Sequence, residues 1–117
     1  MSERQSREAG AAHLDEALLK EIVARILTAA RPDRVILFGS AAAGGMTSDS
    51  DIDLLVLEAD PGEPREAALR IRSALGGVGV PFDVIVMPTE RYEETKDVIG
   101  GIAYPARKYG RVIYEAA

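Results

Sequence analysis

The run 51–58, Asp-Ile-Asp-Leu-Leu-Val-Leu-Glu, constrains this chain more than any other. It is apolar, partly β-branched and too short for a typical helix, so it reads as a buried strand. Yet it opens on two carboxylates. Side chains alternate along a strand, so Asp51 and Asp53 share one face and Ile52 takes the other. Burying an ionised carboxylate is costly unless it is paired, hydrogen-bonded or bound to a metal. Any fold for this sequence must therefore bury the body of the strand and still bring a counter-charge to its mouth.

Two further runs have the same character. Residues 34–38, Arg-Val-Ile-Leu-Phe, form a short strand stopped by Gly39-Ser40. Residues 81–87, Pro-Phe-Asp-Val-Ile-Val-Met, form another, with Asp83 near its start. A last short strand is expected at 111–115, Arg-Val-Ile-Tyr-Glu.

Helical signals lie between the strands. Leu14, Leu18, Ile22 and Ile26 recur every fourth residue, and Leu19, Val23 and Leu27 widen the stripe. Asp15 and Glu16 fall in the first turn, where the helix dipole favours negative charge, and Pro32 ends the helix near Ala30. A second helix is expected over 65–75, with Ala68, Ile71 and Leu75 on one face. A third begins at Thr89, read as its N-cap, and runs through 92–98. Residues 99–110 suggest a broken helix with Gly110 as its C-cap. Residues 41–45 are compatible with one helical turn and 46–50 with a loop. Residues 1–12 are expected to be disordered, leaving one domain over 13–117. The element order predicts an α/β (α+β) fold: a small mixed sheet with helices packed mainly on one face.

This order brings the acids together. If strand 34–38 is antiparallel to 51–58, the Gly39-Ser40 corner and the two aspartates lie at one end of the sheet. The strand–helix–strand unit from 51 to 87 predicts a parallel crossover, which sets Asp83 beside them. Three unpaired carboxylates repel one another and take up protons, and a divalent cation resolves the conflict. Oxygen donors of this kind suit Mg2+ or Mn2+ and not zinc. Gly39 lets a ligand approach the backbone, and Ser40 adds a hydroxyl and an N–H beside a short turn suited to phosphate. Carboxylates for metal beside a phosphate cradle are the parts of two-metal phosphoryl or nucleotidyl transfer.

Composition narrows the alternatives. The 117 residues suffice for one core, and 47% apolar with 28% charged residues describes a globular chain. With no cysteine and one histidine, disulfides, thiolate catalysis and Cys- or His-rich metal sites are excluded. A net charge of −5 without a dominant basic face argues against direct nucleic-acid binding. No apolar run is long enough for a membrane span, and the polar start lacks the apolar centre of a signal peptide, so a cytoplasmic location is expected.

Gly39-Ser40, ten residues and then Asp51-Ile52-Asp53 resemble the Gly-Ser-x10-Asp-x-Asp signature of the polymerase-beta-like nucleotidyltransferase superfamily. The Ser-Asp-Ser-Asp-Ile-Asp-Leu-Leu-Val wording, Asp83 and the ending Tyr-Gly-Arg-Val-Ile-Tyr-Glu resemble its minimal nucleotidyltransferase (MNT) branch. The likeness runs from Leu14 to Glu115. It implies that Gly39 and Ser40 hold the nucleotide triphosphate, that Asp51 and Asp53 bind both metals, and that Asp83 completes the site and helps activate the acceptor. It further implies ATP as substrate, Mg2+ or Mn2+ as cofactor, and AMP transfer to a hydroxyl of a HEPN-domain partner. The protein would then be the antitoxin of a HEPN/MNT toxin–antitoxin pair. A small-molecule acceptor is a less favoured variant, since the chain leaves no room for a substrate domain. The sequence departs from the family in one respect. Ala41, Ala42 and Ala43 stand where members often carry arginine, leaving Arg34, Arg107, Lys108 and Arg111 as cations to compensate. This departure sustains a competing reading, a non-catalytic module of the same fold that neutralises a partner by occlusion.

Other residues have plainer readings. Asp49 suits a turn. Ser40 lacks a neighbouring base and is read as a phosphate contact, not a nucleophile. Tyr92, Tyr104, Tyr109 and Tyr114 are read as packing or interface residues before acceptors. Arg107 and Lys108 suit a solvated helix C-terminus. His13 is assigned no role.

Overall fold

The computed structural model describes residues 16–39 and 51–117. The expectations for the N-terminus, including Leu14 and Asp15, and for residues 40–50 lie outside these. Four strands, β1 (Arg34–Phe38), β2 (Ile52–Glu58), β3 (Phe82–Pro88) and β4 (Arg111–Glu115), form one sheet in the order β3-β2-β1-β4. β1 is antiparallel to both β2 and β4, and β2 is parallel to β3. The mixed sheet is thus the one expected, with β1 and β4 at their predicted limits. β2 and β3 start one residue later than predicted: Ile52 N–H donates to the Pro81 carbonyl (3.0 Å), and the register begins at the pair Ile52–Phe82.

Alternation divides the sheet into two faces. On one, Val35, Leu37, Ile52, Leu54, Val56, Val84 and Val86 pack against α1 (Glu16–Ile26) and α2 (Pro64–Ala74). On the other, Ile36, Leu55 and Leu57 pack against Tyr92 of α3 (Thr89–Thr95) and Ala103 and Ala106 of α4 (Ala103–Tyr109). The two eleven-residue helices therefore share a face, and two seven-residue helices cover part of the other.

Local chemistry explains the helix limits. Ile22 and Ile26 are fully buried, as the apolar stripe predicts, but α1 ends at Ile26, before the expected Ala30. Ala29 and Ala30 N–H groups both donate to the Ile26 carbonyl, closing the end in a turn. Across the layer, Arg25 Nη1 donates to the Ala74 carbonyl (3.3 Å) at the end of α2. α2 starts with Pro64 and is capped by Glu63, whose carboxylate accepts from Glu66 N–H at 3.1 Å.

One cap expectation is corrected and one is met. Thr89 is not the N-cap of α3. Pro88 occupies that place, and the Thr89 hydroxyl donates to Asp33 Oδ2 (2.6 Å), tying the start of α3 to the residue before β1. A partly buried carboxylate is a stronger acceptor than the helix end offers. Gly110 is the C-cap of α4, as expected: its N–H donates to the Ala106 carbonyl (2.9 Å), with an extended and not a left-handed backbone. It is glycine for space. A Cβ there would strike the Ala106 carbonyl oxygen and come within 2.7 Å of Ile36 Cγ2 and 3.0 Å of the Leu37 carbonyl oxygen.

Gly110→Ala is therefore expected to cost about 1–3 kcal/mol, the range for overpacking a tight contact. Urea unfolding should show a lower midpoint with an unchanged slope.

Candidate active site

The site forms where β1 ends and β2 and β3 begin. In the β2–β3 register Asp53 lies directly opposite Asp83. Paired residues of neighbouring strands project to one face about 4.8 Å apart, so the two carboxylates stand side by side. By alternation this is the face of Leu55 and Leu57, beyond the part covered by α3 and α4. Asp83 is exposed and Asp53 half-buried. Asp51, just before β2, is exposed.

From β1, Phe38 pairs with Asp53, and Gly39 follows in a turn with φ +72°. Gly39 is needed here twice over. Its backbone lies in the left-handed region. A Cβ would also fall on Asp53 Oδ2, and it would come within 3.2 Å of the carboxylate carbon. The glycine thus gives the Asp53 carboxylate its place at the corner.

Burial raises the Asp53 pKa above the ordinary carboxylate range, and the negative charges of Asp83 and Asp51 raise it further. The expected three acids do act on one another. Among the described residues, however, no group of three His, Cys, Asp or Glu side chains is so arranged that it could hold a metal ion. Repulsion among the three favours separation, and a divalent cation would relieve it. Carboxylate oxygens with this uncompensated negative charge fit Mg2+ or Mn2+ by donor chemistry. Ser40, Asp49 and Ala41–Ala43 lie outside the described residues.

The structure also sorts the cations left to offset the three alanines. Arg34 is at the far end of β1, 3.2 Å from Glu115. Arg111 pairs with Leu37, near the correct end, but lies on the α1 face and binds Glu16 Oε2 at 2.7 Å. Arg107 and Lys108 are in the last turn of α4, on the same face as the acids. Arg107 is 2.9 Å from Asp97, and Lys108 lies against the rings of Tyr104 and Tyr109. Strand parity is the signal that separates Arg111 from the site, and it needed the β1–β4 register. Tyr92 is buried in the core beneath Arg34, as its packing role predicts.

Paired carboxylates at the mouth of parallel strands, beside a glycine corner that admits no side chain, define a nucleotidyltransferase-type fold. The nucleotidyltransferase domain family model matches residues 17–108, and the chain belongs to that family. Two solved structures share its fold. One is a crystal structure of a mutant MntA–HpeT toxin–antitoxin pair, with TM-score 0.63 and 15% identity, covering 84% of this chain and 73% of that one. The other is a crystal structure of a toxin–antitoxin with AMP-PNP, with TM-score 0.57, 22% identity and the same coverages. A search of the curated proteins found no match. The nucleotidyltransferase fold read from the Gly-Ser and Asp-x-Asp spacing is therefore the fold observed, and the two toxin–antitoxin structures share it.

Two outcomes follow. Asp53 holds its proton to higher pH in the folded than in the unfolded chain, so its ionisation removes stability as pH rises through the raised pKa. In chelator at pH 7, Asp53→Asn should melt above the parent, and the difference should shrink as pH falls through the raised pKa and be gone below the ordinary carboxylate value of about 4. Gly39→Ala should lower the melting temperature, and reverting the clash with Asp53→Ala should recover part of the loss, measured as a double-mutant cycle.

Proposed function

We propose that this nucleotidyltransferase moves AMP from ATP to a hydroxyl of a partner protein, with Mg2+ or Mn2+ held by Asp51, Asp53 and Asp83. One observation carries this reading: Asp53 faces Asp83 across parallel strands, beside a Gly39 corner where no side chain fits. Gly39 and Ser40 receive the triphosphate. The acceptor oxygen attacks the α-phosphorus, pyrophosphate leaves, and Asp83, the more open carboxylate, takes the hydroxyl proton. The metal supplies charge neutralisation of the triphosphate and lowers the pKa of the attacking hydroxyl.

The setting we infer is a toxin–antitoxin pair with this chain as the cytoplasmic antitoxin and a HEPN-domain protein as partner and acceptor. Support comes from the fold shared with the two toxin–antitoxin structures, one of them with AMP-PNP. Among the described residues no helix is long and apolar enough to cross a membrane. The occlusion reading keeps a specific observation in its favour, the alanines at 41–43.

Incubation with labelled ATP, Mg2+ and the product of the adjacent gene separates the two. Transfer of label, reduced at least about a hundredfold in Asp53→Ala and Asp83→Ala, is the catalytic outcome. A tight complex without label, indifferent to those substitutions, is the occlusion outcome. ATP with Mg2+ should also raise the melting temperature of the parent but not of the Asp51→Ala, Asp53→Ala variant.

A further inference from the structure

A triphosphate at the Gly39 corner needs positive charge that its own segment does not supply. From Gly39 to Asp53 the sequence holds Asp49, Asp51 and Asp53 and no lysine or arginine. Asp83 stands opposite Asp53 and adds to the negative charge. A divalent cation offsets the carboxylates, but phosphate oxygens also draw charge-assisted hydrogen bonds from cationic side chains. Any such donor must come from a segment distant in sequence.

α4 is the element that reaches the corner. It packs over β1 on the face of the acids, and a Cβ on Gly110 at its end would come within 3.0 Å of the Leu37 carbonyl oxygen. Phe38 and Gly39 follow Leu37 directly, and Phe38 pairs with Asp53. Lys108 precedes Gly110 by two residues, so the chain keeps the two Cα atoms within about 7 Å of each other. The acids are on β2 and β3, so Lys108 flanks the corner from the β1 side, where the triphosphate lies.

The other cations of this layer are distant or engaged. α3, α4 and the segment joining them carry Arg91, Lys96, Arg107 and Lys108. Arg91 is in the first turn of α3, which follows the far end of β3. Lys96 Nζ binds Glu93 at 2.6 Å. Arg107 binds Asp97 at 2.9 Å and donates to the Lys96 carbonyl at 3.3 Å. Lys108 is exposed and has no carboxylate partner among the described residues. Its ammonium donates to the Tyr104 hydroxyl at 3.4 Å and lies 5.8 Å from the centres of the Tyr104 and Tyr109 rings. Ring faces hold a cation without neutralising it. An ammonium has three donors, and Tyr104 takes one. A cation in the last turn also suits the helix dipole, and Arg107 already supplies that.

We propose that Lys108 is a phosphate-binding residue of the transfer site, its ammonium held by Tyr104 and Tyr109 toward the β- and γ-phosphate oxygens of the nucleotide at Gly39. This rests on the nucleotidyl-transfer reading above. The acids and their metal face the reacting α-phosphorus, and Lys108 balances the charge of the pyrophosphate that leaves.

Calorimetric titration of the full chain with Mg2+ATP tests this. Lys108→Gln should weaken binding about tenfold, the size of one charge-assisted contact. Lys108→Arg keeps the charge and should stay within about threefold of the parent. Arg107→Gln makes the same change of charge in the same turn and should bind as the parent does, because Asp97 holds that guanidinium. Without nucleotide, Lys108→Gln and a second neutral variant, Lys108→Ala, should melt with the parent, which a merely structural role would not allow. Folded Lys108 variants that bind Mg2+ATP like the parent, while Asp51→Ala, Asp53→Ala does not, overturn this assignment and leave the nucleotide reading standing. Equal losses in Lys108→Gln and Arg107→Gln also overturn it, since they report a diffuse field and not a contact. A parent that takes up no Mg2+ATP overturns both.

Discussion

The parallel pairing of β2 with β3 is the constraint on which the site depends. It sets Asp53 against Asp83, and the same register places Ile52 against Phe82 and Leu54 against Val84 on the other face. The apolar pairs beneath α1 and α2 hold the strands in place. Two like charges are thereby kept in a contact that they would otherwise leave. The energy that packs the core is what positions carboxylates against their own repulsion, and the Asp53 pKa is raised first by burial and then by the charges of Asp83 and Asp51.

The two layers are not equivalent. α1 and α2 are long and cover the strands along one face, while α3 and α4 are short and leave the mouths of β2 and β3 to the acids. Gly39 and Gly110 mark where backbone must come close: one beside the Asp53 carboxylate, the other where α4 turns back onto β1. Both lie near the end of β1 that bears the site, and each is glycine for a steric reason that its neighbours in space supply.

Much of this was legible in the sequence because it rests on period-two alternation and on spacing. The runs at 34–38 and 111–115 are strands over those residues, and the acids of 51–58 and 81–87 meet because alternation and a parallel crossover leave little choice. What was not legible depends on contacts between distant segments. The Thr89 hydroxyl serves Asp33, 56 residues away, and not its own helix. Gly110 caps α4 as read, but what requires glycine there is the closeness of Ala106, Ile36 and Leu37 and not a left-handed backbone. From the sequence Arg111 reads as a cation available to phosphate, but its pairing with Leu37 sends it to the opposite layer. In each case the deciding neighbour comes from a segment distant in sequence.

The alternation within β2 has a consequence for how such a domain can diverge. Odd positions report to one layer and even positions to the other, so most replacements are felt on a single side and can be compensated there. Inserting or deleting one residue inside the strand exchanges the two sides, exposing leucines and driving a carboxylate inward. Drift in this element should therefore be permissive of identity and intolerant of length, and an architecture shared at 15% and 22% identity is what that asymmetry allows.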